Sequence, residues 1–311
     1  MKKIITSLVL CVMLVCGVIG FTACGSKNIT VVAREQGSGT REAFDKAVTD
    51  GNGNYLEMKD KDGNKVFNTT DRADLQKETG NVMSKVASDV NSIGYISLGS
   101  VNSTIKVVKV NGVMPSKETV LNGTYKIQRP FVIMTNASVT LNPITADFLK
   151  YLKSGASEAH ADTAGCIYLS DPSQRANEGA TPIPVEDFTA QSELPSGGKI
   201  VINGSTSMEK FIRSAMSGYA SLYNTTADKI FTLDLQGSSM GKSAAEGDRN
   251  GNVIGLSSAG VNEDGINSFN VCLDAVAVIV NNANDQINNL TIAQLYDIYS
   301  GKIKKFSEIA G

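Results

Sequence analysis

The chain has 311 residues, of which 29 are basic and 31 acidic, with one histidine and five cysteines. A net charge of −2 with no basic run excludes a nucleic-acid binder acting through its global field, so any anion site must be local. With His160 alone and no Cys-x-x-Cys, no metal-ligand spacing exists.

Residues 1–23 read as a bacterial lipoprotein signal. Lys2 and Lys3 form its basic start, residues 4–19 its apolar stretch, and Phe21-Thr22-Ala23 lead to Cys24, the expected lipidated first mature residue. The alternative is an uncleaved membrane anchor, which the stretch is long enough to form. The remainder suffices for one large α/β unit or two lobes of ordinary size.

The β-branched run Ile29-Thr30-Val31-Val32 predicts a strand that ends in Ala33-Arg34-Glu35-Gln36-Gly37-Ser38-Gly39-Thr40 and turns directly into a helix. Residues 82–90 read as a helix, then 93–98 and 105–110 as strands, the latter closed by Asn111-Gly112. Residues 142–154 read as a helix opened by Asn142-Pro143 and ended at Gly155. His160, in the polar run SGASEAHADT, is expected at a solvated helix end. Cys166 and Cys272 lie in apolar, strand-like contexts; export permits a disulfide, but two small buried hydrophobes is the expectation. Residues 178–198, rich in Pro, Gly and small polar residues, read as a linker or surface excursion.

A fresh α/β unit opens at Lys199. A short apolar strand runs into Gly204-Ser205-Thr206-Ser207 and a helix whose apolar face is Met208, Phe211, Ile212, Ala215, Tyr219 and Leu222. Thr206 and Glu209 have capping-box spacing, so these hydroxyls either cap the helix, hold an anion, or do both. The loop Gly237-Ser238-Ser239-Met240-Gly241-Lys242-Ser243 resembles a Walker A loop but is one residue short, which argues against nucleotide hydrolysis. Val253-Ile254-Gly255-Leu256 is a strand ending in Ser257-Ser258. Alternating strands and helices indicate an α/β fold.

One pattern recurs: strand, glycine- and hydroxyl-rich turn, helix, with Arg34 as the single committed cation. Helix N-termini present unpaired N–H groups and a partial positive charge, which suits a small dianion. A nucleophilic serine would need a base within reach, and no Gly-x-Ser-x-Gly elbow exists. Binding is the better reading, with no catalytic residue, cofactor or metal.

These residues resemble a family. Arg34-x-x-x-Ser38-Gly39-Thr40, Ser97-Leu98-Gly99 after Ile93-Gly94-Tyr95, the turn Gly123-Thr124-Tyr125 leading to Arg129-Pro130, Gly204-Ser205-Thr206-Ser207, and Ile298-Tyr299-Ser300-Gly301-Lys302-Ile303 are similar to the phosphate-binding receptors of phosphate ABC transporters. The resemblance covers nearly all of residues 28–311. It implies a two-lobe, type II periplasmic-binding-protein fold, monomeric and lipid-anchored outside the cytoplasmic membrane. The implied partners are inorganic phosphate and the permease subunits. Arg34 would pair with the anion, Ser38 and Thr40 would donate hydroxyl and N–H, and Gly39 its N–H. Thr206 and Ser238 would give hydroxyls and Ser207 an N–H. Many members carry aspartate where this chain has Ser258; a serine can accept the proton of hydrogen phosphate but does not repel sulfate. The two halves also stand in reversed order, which implies a circular permutant with residues 178–198 joining the old termini. Lobe one would be 28–127 plus 281–311 and lobe two 130–277, with crossings at 127–135 and 275–281. Rival readings are a receptor for sulfate or molybdate, and a sensory or adhesive module on the same fold.

Overall fold

The computed structural model describes residues 27–177 and 179–309. The signal segment 1–23, Cys24 and Gly311 lie outside the described residues.

Two large hydrophobic cores, accompanied by two smaller clusters, divide the described residues. One gathers Val31, Phe44, Ile93, Tyr95 and Val108 with Val278, Leu295, Ile298, Tyr299 and Phe306, so the two ends of the described chain share it. The other gathers Phe131, Phe148, Leu152, Ile202, Phe211, Ile212, Tyr219, Ile254 and Phe269. The Ile29 N–H donates to the Lys304 carbonyl at 2.7 Å, and Thr70 N–H to the Tyr299 carbonyl at 2.8 Å.

The lobes repeat one arrangement. In the first, strand Thr30–Arg34 lies parallel between Asp74–Gln76 and Ser92–Ser97. In the second, Ile200–Gly204 lies parallel between Phe231–Asp234 and Val253–Ser257. Each set is then met by an antiparallel strand that comes from the other lobe. Ile266–Asn281, sixteen residues long, pairs with Gln128–Asn136 through its first part and with Ser92–Ser97 through its second. These two strands cross between the lobes side by side. The apolar runs Phe131–Met134 and Ala275–Val280 within them are buried on both faces.

Parallel strands place their following turns at one edge, outside the carboxyl ends. Arg34 leads to the helix Gly39–Ala47, Gly204 to Glu209–Leu222 after a short 3-10 turn, and Asp234 to Ser238–Gly247. The glycine- and hydroxyl-rich turns of both lobes therefore face each other by topology.

Local readings are corrected in four places. The helix expected at 82–90 is Thr79–Ser88. His160 is buried, not solvated: its Nε2 lies 2.7 Å from the Tyr151 hydroxyl and its Nδ1 2.9 Å from Ser214 Oγ. Burial lowers its pKa, and helix Ser157–Ala164 packs on Glu209–Leu222 to make it so. Leu222 is exposed at the end of its helix, off the apolar face. Glu209 caps nothing; it pairs with Arg213 at 2.8 Å, and Ser205 Oγ takes the capping place by accepting from the Ser207 N–H. The helix Pro143–Lys153 opens as read, with the Asn142 side chain accepting from Thr145 N–H at 3.0 Å.

Candidate anion-binding site

Arg34 is the last residue of its strand and is 2% exposed. Its guanidinium donates to the Gln76 carbonyl (3.1 Å), the Lys77 carbonyl, Thr79 Oγ1 (3.3 Å) and, across the seam, Thr206 Oγ1 (3.4 Å). All four are neutral oxygens, so the charge is oriented without being cancelled. Burial lowers this guanidinium to about 10, and the nearby Arg129 pushes the same way. It remains a cation at neutral pH.

The other expected residues converge on it. Ser38 caps the helix Gly39–Ala47, accepting from Arg41 N–H at 3.4 Å while its own proton is free to donate. Gly39 and Thr40 start that helix, where backbone N–H groups lack intrahelical partners. Thr40 Oγ1 lies 3.0 Å from Ser207 Oγ of the other lobe. Ser238 Oγ accepts from Ser258 N–H at 3.0 Å. The lobes approach closely at Gly39: a Cβ there would stand 2.7 Å from Ser238 Oγ and 2.8 Å from Ser258 Oγ. All eight residues, Arg34, Ser38, Gly39, Thr40, Thr206, Ser207, Ser238 and Ser258, lie at the lobe seam.

Three further groups belong to this cluster and were not assigned from sequence. Thr79 bridges Arg34 and Thr206. Ser205 Oγ donates to Ser258 Oγ at 2.8 Å. The third is a second arginine, which corrects the reading of Arg34 as the single cation. Arg129 and Asp274 are cross-strand neighbours on the two crossing strands. Arg129 Nε and Nη2 donate to Asp274 Oδ2 at 3.1 and 2.9 Å, and its Nη1 donates to Ser258 Oγ at 3.1 Å. Ser97 Oγ donates to the other Asp274 oxygen at 2.9 Å. One signal for this pair was available: a lone charge inside an apolar strand has to find a partner.

The Ser258 hydroxyl is therefore set as a donor. Its two lone pairs accept from Arg129 and Ser205, and its proton has Ser238 Oγ within reach at 3.3 Å. Accepting a ligand's proton at Ser258 would therefore require one of these bonds to give way. Arg129 is neutralised by Asp274, whereas Arg34 is not. The cluster thus carries one uncompensated buried positive charge inside a shell of hydroxyl and N–H donors.

Lys242, the lysine of the Walker-like loop, pairs with Glu263 and Glu246 on the surface and does not reach this cluster. Arg41 turns away from it, with Nε 3.0 Å from Asp45 and Nη1 donating to the Arg34 carbonyl at 3.0 Å. The other oxygen of Asp45, Oδ1, has no hydrogen-bond partner. Burial, opposed by Arg41, raises this carboxyl from an ordinary 3.8 to about 6. Between these values the folded chain holds a proton that the unfolded chain has released. The stability from this group is therefore full below about pH 4 and is lost as pH rises through about 6. Asp45→Asn is expected to flatten that decline in chemical denaturation series from pH 4 to 7; an unchanged slope would assign it to other groups.

Among the described residues no group of three or more His, Cys, Asp or Glu is placed to hold a metal ion. No described helix is long and apolar enough to cross a membrane.

Comparison with known proteins agrees with this architecture. A PBP superfamily domain is matched over residues 189–311. The phosphate-binding protein PstS 2 of Streptococcus agalactiae is 31% identical over 288 residues, spanning 91% of this chain and 88% of the relative. The chain belongs to the PstS family of phosphate-binding proteins. PstS 2 of Streptococcus pneumoniae is likewise 31% identical, over 93% of this chain and 94% of its own length. A crystal structure of a phosphate-binding protein of a phosphate ABC transporter, also from Streptococcus pneumoniae, matches with a TM-score of 0.63 and 29% identity. It spans 91% of this chain and all of that one. Within the PstS family the two lobes and paired crossing strands described above are the type II periplasmic-binding-protein fold.

Proposed function

We propose that this chain is a receptor that captures inorganic phosphate between its lobes and passes it to the permease subunits of an ABC importer. The observation that carries the reading is Arg34. A buried, ionised guanidinium tied only to neutral oxygens is costly unless an anion completes it. The surrounding donors, from Ser38, Gly39, Thr40, Thr206, Ser207, Ser238 and Ser258, suit the several oxygens of a tetrahedral dianion. The names of the PstS relatives support phosphate as that anion. The protein binds and does not transform its ligand: His160 is engaged with Tyr151 and Ser214, away from these serines.

On this reading Cys24 carries the lipid that holds a monomeric receptor at the outer face of the cytoplasmic membrane. The chain order is a circular permutation, and the contact of Ile29 with Lys304 supports it, since it brings the two ends together on one lobe. Residues 178–198 then join the former termini.

Calorimetric titration with phosphate, sulfate, molybdate and citrate tests the assignment. Phosphate is expected to bind, and to stabilise the fold by about 2.7 kcal/mol at a hundredfold excess over Kd. No heat and no thermal shift with any anion would leave a sensory or adhesive module instead.

One observation favours a broader oxyanion specificity. Ser258 is uncharged, so it does not repel a fully ionised oxygen as a carboxylate would. Sulfate is expected to compete at excess concentration, and Ser258→Asp to weaken sulfate relative to phosphate by several kcal/mol, because a carboxylate facing sulfate meets only lone pairs. Failure of sulfate to bind the unmodified chain would show that another acceptor guards the site.

A further inference from the structure

We propose that Cys166 and Cys272 become a structural disulfide when the chain folds in an oxidising compartment. The proposal rests on the extracytoplasmic location given above and on no feature of the anion site. The two sulfurs lie 3.0 Å apart and both residues are buried, although 106 positions separate them in the chain. Forming the bond, about 2.05 Å long, takes an approach of roughly 1 Å.

The fold explains how they meet. Gly165, with φ of 70°, ends the helix Ser157–Ala164 in the left-handed conformation and turns the chain into the short strand Ile167–Tyr168. That strand pairs antiparallel with the long crossing strand, Tyr168 opposite Cys272. Cys166 immediately precedes that strand, which brings its sulfur to 3.0 Å from that of Cys272. Both thiols enter the core built on Phe131, Leu152 and Phe269, where surrounding side chains are apolar. Cys11, Cys16 and Cys24 fall in the expected signal or receive its lipid, which leaves these two to pair with each other.

The chemistry is thiol–disulfide exchange with an external disulfide oxidant. The thiolate of one cysteine attacks a sulfur of the oxidant, expelling one thiolate and forming a mixed disulfide. The second cysteine's thiolate then displaces the remaining half. The oxidant gains two electrons and leaves as two thiols, which take up the two protons that the cysteines released. Burial pushes the Cys272 thiol up, so its thiolate is scarce once the lobe has closed. The exchange therefore belongs to the folding chain, and the finished bond is shielded from reductant. It would tie the helix end at Gly165 to the crossing strand beside its register shift at Asn270 and Cys272, two residues before Asp274.

The experiment uses the chain from Gly25, which contains both cores entire. It is refolded from denaturant either with reduced and oxidised glutathione or with a phosphine reductant, then denatured and alkylated with iodoacetamide for mass measurement. The glutathione sample is expected to take up no alkyl group and to yield one peptide pair linked through Cys166 and Cys272. The oxidised chain is expected to melt roughly 5 °C or more above the reduced chain, since the bond closes a long loop. The double variant Cys166→Ala, Cys272→Ala should melt alike in both conditions. Two alkyl groups, or a glutathione on each cysteine, would overturn the proposal, and this mass readout does not depend on how any variant folds. Phosphate titration of the same samples keeps the two readings apart: a linked chain that binds no anion removes the receptor assignment and leaves the disulfide standing.

Discussion

Arg34→Ala is expected to weaken phosphate binding by about 3 kcal/mol, roughly a hundredfold. The size follows from the electrostatics of the seam. Arg129 spends its charge on Asp274, with two of its nitrogens within 3.1 Å of one carboxylate oxygen. Arg34 has only carbonyl and hydroxyl partners, so it supplies the formal charge that a desolvated dianion needs. Arg41→Ala is the control. It lies in the first turn of the following helix but faces Asp45 and the Arg34 carbonyl, so its loss should cost far less affinity while lowering stability. Titration calorimetry of the two variants decides the matter, and equal losses in affinity would mean that the wrong arginine has been assigned.

Asp274→Ala is expected to destabilise the fold by about 3–5 kcal/mol, because it strands a fully buried guanidinium without a counter-charge. Both side chains are at most 1% exposed, and no solvent reaches Arg129 to compensate. Removing the pair together, as Arg129→Met with Asp274→Leu, should recover much of the loss, since replacing a buried ion pair by apolar groups of similar volume is often neutral. Urea midpoints at unchanged m would measure both effects. If the single variant loses under 1 kcal/mol, water enters the crossing strands and the pair is not the dry contact described. The double variant also frees the Ser258 lone pair that accepts from Arg129, so its sulfate affinity reports on how far that bond sets the site's preference.

What the sequence by itself determined lies within a few residues of each loop. The β-branched run before Arg34, the Ser38 cap, the Asn142 cap and the hydroxyl-rich turn after Gly204 all depend on contacts of i to i+4, which local chemistry encodes. The expectation of an anion site at helix N-termini followed from the same short range. Tertiary structure decided everything that rests on pairing between distant strands. Arg129 meets Asp274 only because two crossing strands run side by side in one register, 145 positions apart. That contact also engages a lone pair of Ser258. His160 left its polar neighbourhood for a buried place because one helix packs on another, and Ser205 displaced Thr206 as cap because the strand before it ends in a turn. A buried charge or hydroxyl is satisfied by whichever partner the fold brings within about 3 Å, and that partner is fixed by packing, not by spacing along the chain.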